Sequence, residues 1–135
     1  MKTVAAGSFT VKMTPQAWSE GPVEHGLGRF MIDKLYVGDL EATGQGQMLA
    51  YGDGKPGSSG VYVAIEKVTG SLQGRKGSFI LHHTGLMNRG VPDLSISVVP
   101  DSGTGDLNGL SGSMNIKIEE GKHSYEFSYA LATIQ

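Results

Sequence analysis

The stretch "GVYVAIEKVTGSLQGRKGSFILHHTG", Gly60 to Gly85, decides the fold. Two apolar runs, Val61–Leu72 and Arg75–Met87, flank the dipeptide Gln73–Gly74. A two-residue turn there makes an antiparallel hairpin and fixes its register. Ala64 then faces His83, and Glu66 faces Leu81. Alternation places Tyr62, Ala64, Glu66, Phe79, Leu81 and His83 on one face. His82 falls on the other face with Ser78, Ile80 and Ile65. Glu66 and His83 become diagonal neighbours, with backbones roughly 7–8 Å apart and side chains within reach. A three-residue loop would swap these faces, so the pairing depends on the turn.

Outward from this hairpin the same pattern repeats. Apolar runs fall at Gly7–Met13, with a possible extension past Pro15, and at Gly28–Val37, Leu40–Tyr51 and Val61–Leu72. They continue at Arg75–Met87, Leu94–Pro100, Leu110–Glu119 and His123–Leu131. The 21 glycines fall mainly between runs and read as turn and bulge positions. Helical signals are nearly absent; "TPQAWSEG" suits one turn, with Pro15 at its first position, or an irregular edge. Eight runs joined by short turns predict an all-β, antiparallel up-and-down sheet. Closing it into an eight-stranded barrel removes the exposed edges, and such a barrel is either filled by side chains or holds one small ligand. A two-sheet sandwich is the rival.

The last hairpin turns at "EGK", and either two-residue turn gives the same parity. Met114, Ile116 and Ile118 share a face with His123, Tyr125, Phe127 and Tyr129, and this apolar face is expected to point inward. Ser113, Asn115, Lys117, Glu126 and Ser128 suit water. In the second hairpin a turn at Gly38–Asp39 puts Leu35, Val37, Leu40 and Ala42 on one face. Phe30, Ile32, Lys34, Tyr36 and Glu41 then lie on the other. Both faces are partly apolar, which also suits a contact between subunits.

The length of 135 residues fits one domain spanning residues 1–135. Net charge is −2 with scattered basic residues, so neither nucleic acid nor an anionic membrane is expected as partner. The chain has no cysteine, which excludes disulfides, thiolate nucleophiles and Cys-based zinc sites. "MKTVAAGSFTVKM" is broken by Gly7 and Ser8 and does not resemble a signal peptide; a cytoplasmic protein is expected. "GTGDLNG" misses the G-x-G-x-x-G spacing and precedes a strand. "GSSG" is not a nucleophile elbow. "PDSGTGDLN" lacks calcium-loop spacing and reads as a solvated turn.

Four histidines raise the question of a metal. His82 and His83 diverge as strand neighbours, and His25 and His123 show no ligand spacing, so no metal is expected. Glu66 with His83 is the sharpest pair. It suits either proton transfer or anchoring of one polar ligand group. Tyr62, Tyr125 and Arg75 could support it. Trp18 suits a plug at a barrel end, with ligand stacking as the lesser role.

The runs "YVGDLEATGQGQML", "GVYVAIEKVTGSLQGRKGSFILHHTG" and "VVPDSGTGDLNGLSGSMNIKIEEGKHSYEFSYAL" resemble a family of small, uncharacterised bacterial proteins. That family is similar in fold to plant allene oxide cyclase, an eight-stranded antiparallel barrel. The resemblance covers roughly residues 7–131 and favours the barrel over the sandwich. Its motif implies interest in Glu41, Glu66 and His83; His82 stands where glutamine is usual. Allene oxide cyclase chemistry would follow only from fold analogy. The expectation is a barrel without cofactor that binds a small, largely apolar or amphipathic molecule through Glu66, His83, Tyr62, Glu41, Tyr125 and Trp18. Two alternatives are a cofactor-independent isomerase or cyclase using Glu66 and His83, and a filled barrel whose outer face forms a homo-oligomer.

Overall fold

Gln73 and Gly74 both take left-handed backbone angles, with φ of 46° and 86°, the geometry of a tight hairpin turn. The register around them is the one expected from the sequence, with Ala64 opposite His83 and Glu66 opposite Leu81. The structure is a computed structural model. It describes residues 2–16 and 26–132.

Eight strands follow one another: β1 (Thr3–Gln16), β2 (Leu27–Gly38), β3 (Leu40–Tyr51), β4 (Gly60–Leu72), β5 (Arg75–Asn88), β6 (Val91–Val98), β7 (Leu110–Glu119) and β8 (Lys122–Leu131). Each pairs antiparallel with the next and β8 closes on β1, giving a barrel in sequence order. The described residues include no helix long and apolar enough to cross a membrane.

One end of the barrel is packed shut. The β2–β3, β4–β5 and β6–β7 connections lie there, above a core that includes Leu40, Leu72, Phe79, Leu110, Phe127 and Tyr129. Phe127 stacks against both Phe79 and Tyr129, with ring centroids 5.7 and 5.5 Å away. The β7–β8 hairpin has the expected faces: Met114, Tyr125, Phe127 and Tyr129 are buried, while Asn115, Lys117 and Glu126 are exposed. Ile118 has the inward phase but is exposed at the far end.

Three expectations are corrected and one open alternative is decided. First, the β2–β3 connection is not the two-residue Gly38–Asp39 turn; Asp39 alone separates the strands and Tyr36 pairs with Ala42. Asp39 is held by β1: its N–H donates to the Ala6 carbonyl at 3.1 Å, and its side chain accepts from the Ala6 N–H at 2.9 Å. One residue of slip exchanges the faces. Ala42 therefore joins Ile32, Lys34 and Tyr36 inside, while Leu35, Val37 and Glu41 face out.

Second, of the two readings open at Pro15 the structure takes the strand: β1 extends past it, through Thr14, Pro15 and Gln16. Among the described residues β1 pairs beyond Phe9 with β2 alone, and a residue without an N–H is tolerated on such an edge. Third, β6 runs Val91–Val98, not Leu94–Pro100. Fourth, the "DSGTGDLNG" segment is more than a solvated turn: a short 3₁₀ turn at Gly105–Leu107 drops Leu107 into the core, 1% exposed. The segment also completes the β5 edge. Val99 donates to Ile80, Thr104 donates to Ser78, and Ser102 Oγ accepts from the Ile80 N–H.

Candidate functional site

Halfway along the barrel the apolar filling stops at a polar cluster. β2 contributes Lys34 and Tyr36, β4 contributes Glu66 and β5 contributes His83, all from inner-face positions. Glu66 is 0% exposed and His83 is 4% exposed. Glu66 Oε1 accepts from Lys34 Nζ at 3.0 Å and from His83 Nε2 at 2.9 Å. Its Oε2 accepts from the Tyr36 hydroxyl at 2.5 Å. An ionised carboxylate only accepts, so the His83 proton sits on Nε2. Lys34 Nζ lies over the rings of Phe9 and Tyr36, 5.1 and 5.7 Å from their centroids.

Burial pushes the Glu66 carboxyl up. The His83 hydrogen bond, the Lys34 charge and the Tyr36 hydrogen bond outweigh it, holding the carboxyl below its ordinary range. Burial, then the Glu66 charge, pushes the Tyr36 hydroxyl far up. The same two causes raise Tyr62.

A pH dependence follows from the lowered carboxyl. The unfolded chain takes up the Glu66 proton first as acid is added, so this group's contribution is complete above its ordinary value of 4.5. It is lost as pH falls through the lower folded value. Urea midpoints measured downward from neutral pH are expected to fall more steeply for the wild type than for Glu66→Gln in that acid window. Parallel curves would show that Glu66 is not held ionised by the fold.

Lys34, Tyr36 and Gly44 are site residues that the sequence reading did not select. Lys34 and Tyr36 share strand phase with Ile32, the same charge-among-apolar signal that singles out Glu66. Gly44 has a different reason: a Cβ there would overlap Glu66 Oε2 and press on Tyr36. No composition rule marks that position, because the contact spans β3 to β4.

The other candidates scatter. Tyr62 lies one inward step above Ala64, half-buried, with its ring 6.4 Å from that of His83. Tyr125 is buried toward the packed end. Its hydroxyl accepts from the Leu40 N–H at 2.9 Å and lies 2.9 Å from the Val37 carbonyl, pinning the β2–β3 corner. Glu41 is exposed on the outer wall opposite Ser71, and Arg75 is exposed at the β4–β5 turn. His82 is exposed; His123 is half-buried against Phe9. Trp18 and His25 lie outside the described residues. Among the described residues no three His, Cys, Asp or Glu side chains gather as metal ligands.

Above the cluster the inner wall is apolar and reached by solvent. Phe30, Met48, Ala50 and Tyr62 are half-buried at inner-face positions. Met13 and Ile118 share the inward phase and are 53% and 63% exposed. Among the described residues, β1 from Thr10 onward has no β8 partner and β6 pairs with β7 at Ser97–Ser113 alone. The outer wall carries its own shallow concavity, formed by Arg29, Gln47, Leu49, Val63, Ile65 and His82 among others, with Ile65 65% exposed.

The chain belongs to the DUF3224 family, described as proteins of unknown function, whose family model matches residues 5–129. It is similar to a solved structure of a DUF3224 protein of unknown function from Shewanella oneidensis MR-1. The two are 47% identical, with a TM-score of 0.89, over 99% of this chain and 100% of that one. A search of curated proteins finds no match.

Proposed function

We propose that this family member binds a small, largely apolar molecule at the open end of its barrel, above the Lys34–Glu66–His83 cluster. The carrying observation is the contrast between the two ends. Phe127 and Leu107 are fully buried at one end, whereas Phe30, Met48, Ala50 and Tyr62 leave apolar inner surface accessible at the other. Concave apolar surface with a few convergent polar groups is the common form of a ligand site. A carboxylate with three donors and a lowered pKa is a weak base, so the cluster suits anchoring better than proton abstraction.

The neutral fluorophore N-phenyl-1-naphthylamine tests this reading. Saturable enhancement at one probe per barrel is expected. Ala50 stands between Gly28 and Tyr62 on the inner wall, and Ala50→Trp fills the mouth. That substitution is expected to weaken the probe at least about tenfold, equivalent to ~1.4 kcal/mol. Equal binding by both proteins would place the probe on the outer wall and overturn the reading, as would no saturable binding.

A further inference from the structure

We infer that the ligand of the open end is uncharged, an apolar molecule carrying a neutral hydrogen-bonding oxygen. This rests on the binding reading above and deepens it. Strand alternation sends nearly every charge of the barrel outward. Lys12, Arg29, Asp33, Glu41, Lys67, Lys76, Asp93, Lys117, Glu119, Lys122 and Glu126 all have the outer phase. Among the described strand residues with the inner phase, the side chains of fixed charge are Lys34, Glu66 and, at the β4–β5 turn, Arg75. Arg75 is exposed beyond the packed end, with Phe79 and Leu81 between it and the cluster on the same face.

The floor of the open end therefore pairs one buried cation with one buried anion, 3.0 Å apart, and carries no net charge with His83 in its neutral form. An incoming carboxylate would meet Glu66 and an incoming ammonium would meet Lys34. Either would lose its hydration without gaining an unshared counter-charge. A neutral molecule avoids this cost.

Two groups near the floor can take a neutral oxygen. Tyr62 makes no side-chain hydrogen bond to a described residue, and its hydroxyl can donate or accept. In its neutral form, with Nε2–H donated to Glu66, His83 offers Nδ1 as an acceptor. A ligand hydroxyl satisfies both; a ligand carbonyl satisfies Tyr62.

Displacement of N-phenyl-1-naphthylamine by three chains of equal length tests the inference at neutral pH: 1-decanol, decanoate and decylammonium. The expected order is decanol tightest by at least about tenfold. If either ion matches decanol, or if none of the three displaces a probe that Ala50→Trp blocks, the inference fails and the binding reading survives. If the probe itself does not bind, the binding reading has failed. Glu66→Gln supplies a second measurement. It leaves Lys34 as an unshared cation, so the preference is expected to move to decanoate by about tenfold or more. A folded Glu66→Gln protein with unchanged selectivity would also overturn the inference. The wild-type order needs no variant to fold.

Discussion

Replacing Lys34 with methionine is expected to cost the barrel about 3–5 kcal/mol, because breaking a buried ion pair leaves the surviving charge uncompensated. Glu66 would keep His83 and Tyr36 as donors but lose the cation at 3.0 Å, with no route to water at 0% exposure. Methionine has nearly the reach of the lysine stem, so the loss reports charge rather than a cavity. Urea unfolding at neutral pH measures it. The double variant Lys34→Met/Glu66→Gln is expected to recover most of the loss, since it removes both charges together. A single-variant loss below about 1 kcal/mol, the size of an exposed pair, would show that Glu66 does not depend on Lys34 for its charge. The loss should also shrink in acid, where Glu66 is neutral in the folded variant.

Phe127→Ala is expected to cost a similar amount, about 3–5 kcal/mol, for a different reason. The ring is 0% exposed and stacked against two others, Phe79 and Tyr129. Truncation loses the buried area, the two ring contacts and the packing around the cavity left behind. Against the usual 5–15 kcal/mol of a native domain this is a large share, so guanidinium or urea curves give a clear shift. Because Phe127 belongs to the packed end, N-phenyl-1-naphthylamine is expected to bind the folded fraction with unchanged affinity. A weakened probe with an unchanged unfolding midpoint would reverse the roles assigned to the two ends.

Glu66 and His83 were legible because Gln73–Gly74 is a strong local turn signal, and one turn sets the register of the whole hairpin. The same rule failed two strands earlier. Gly38–Asp39 looks like a similar turn, but Asp39 bonds to Ala6 of β1, and that long-range contact moved β3 by one residue. Glu41 was lost to the outer wall by that slip, and Lys34 and Tyr36 were resolved to the inside. Leu107 was hidden for a related reason: a loop of Gly, Asp, Ser and Thr looks solvated until the end of the barrel gives its one leucine somewhere to go.

By itself the sequence determined the all-β class, the eight strands in order and which residues share a face in the β4–β5 and β7–β8 hairpins. Those follow from period-two alternation and short turns, which are local properties. Only the tertiary structure decided which face of β2 and β3 looks inward. It also decided that Lys34 neutralises Glu66, that Gly44 makes room for the carboxylate, and that one end of the barrel is plugged while the other keeps apolar inner surface open. Each of these depends on side chains from different strands that the sheet brings together, such as Ala6 with Asp39, Lys34 with Glu66 and Gly44 with Glu66, and not on the pattern within one strand or turn.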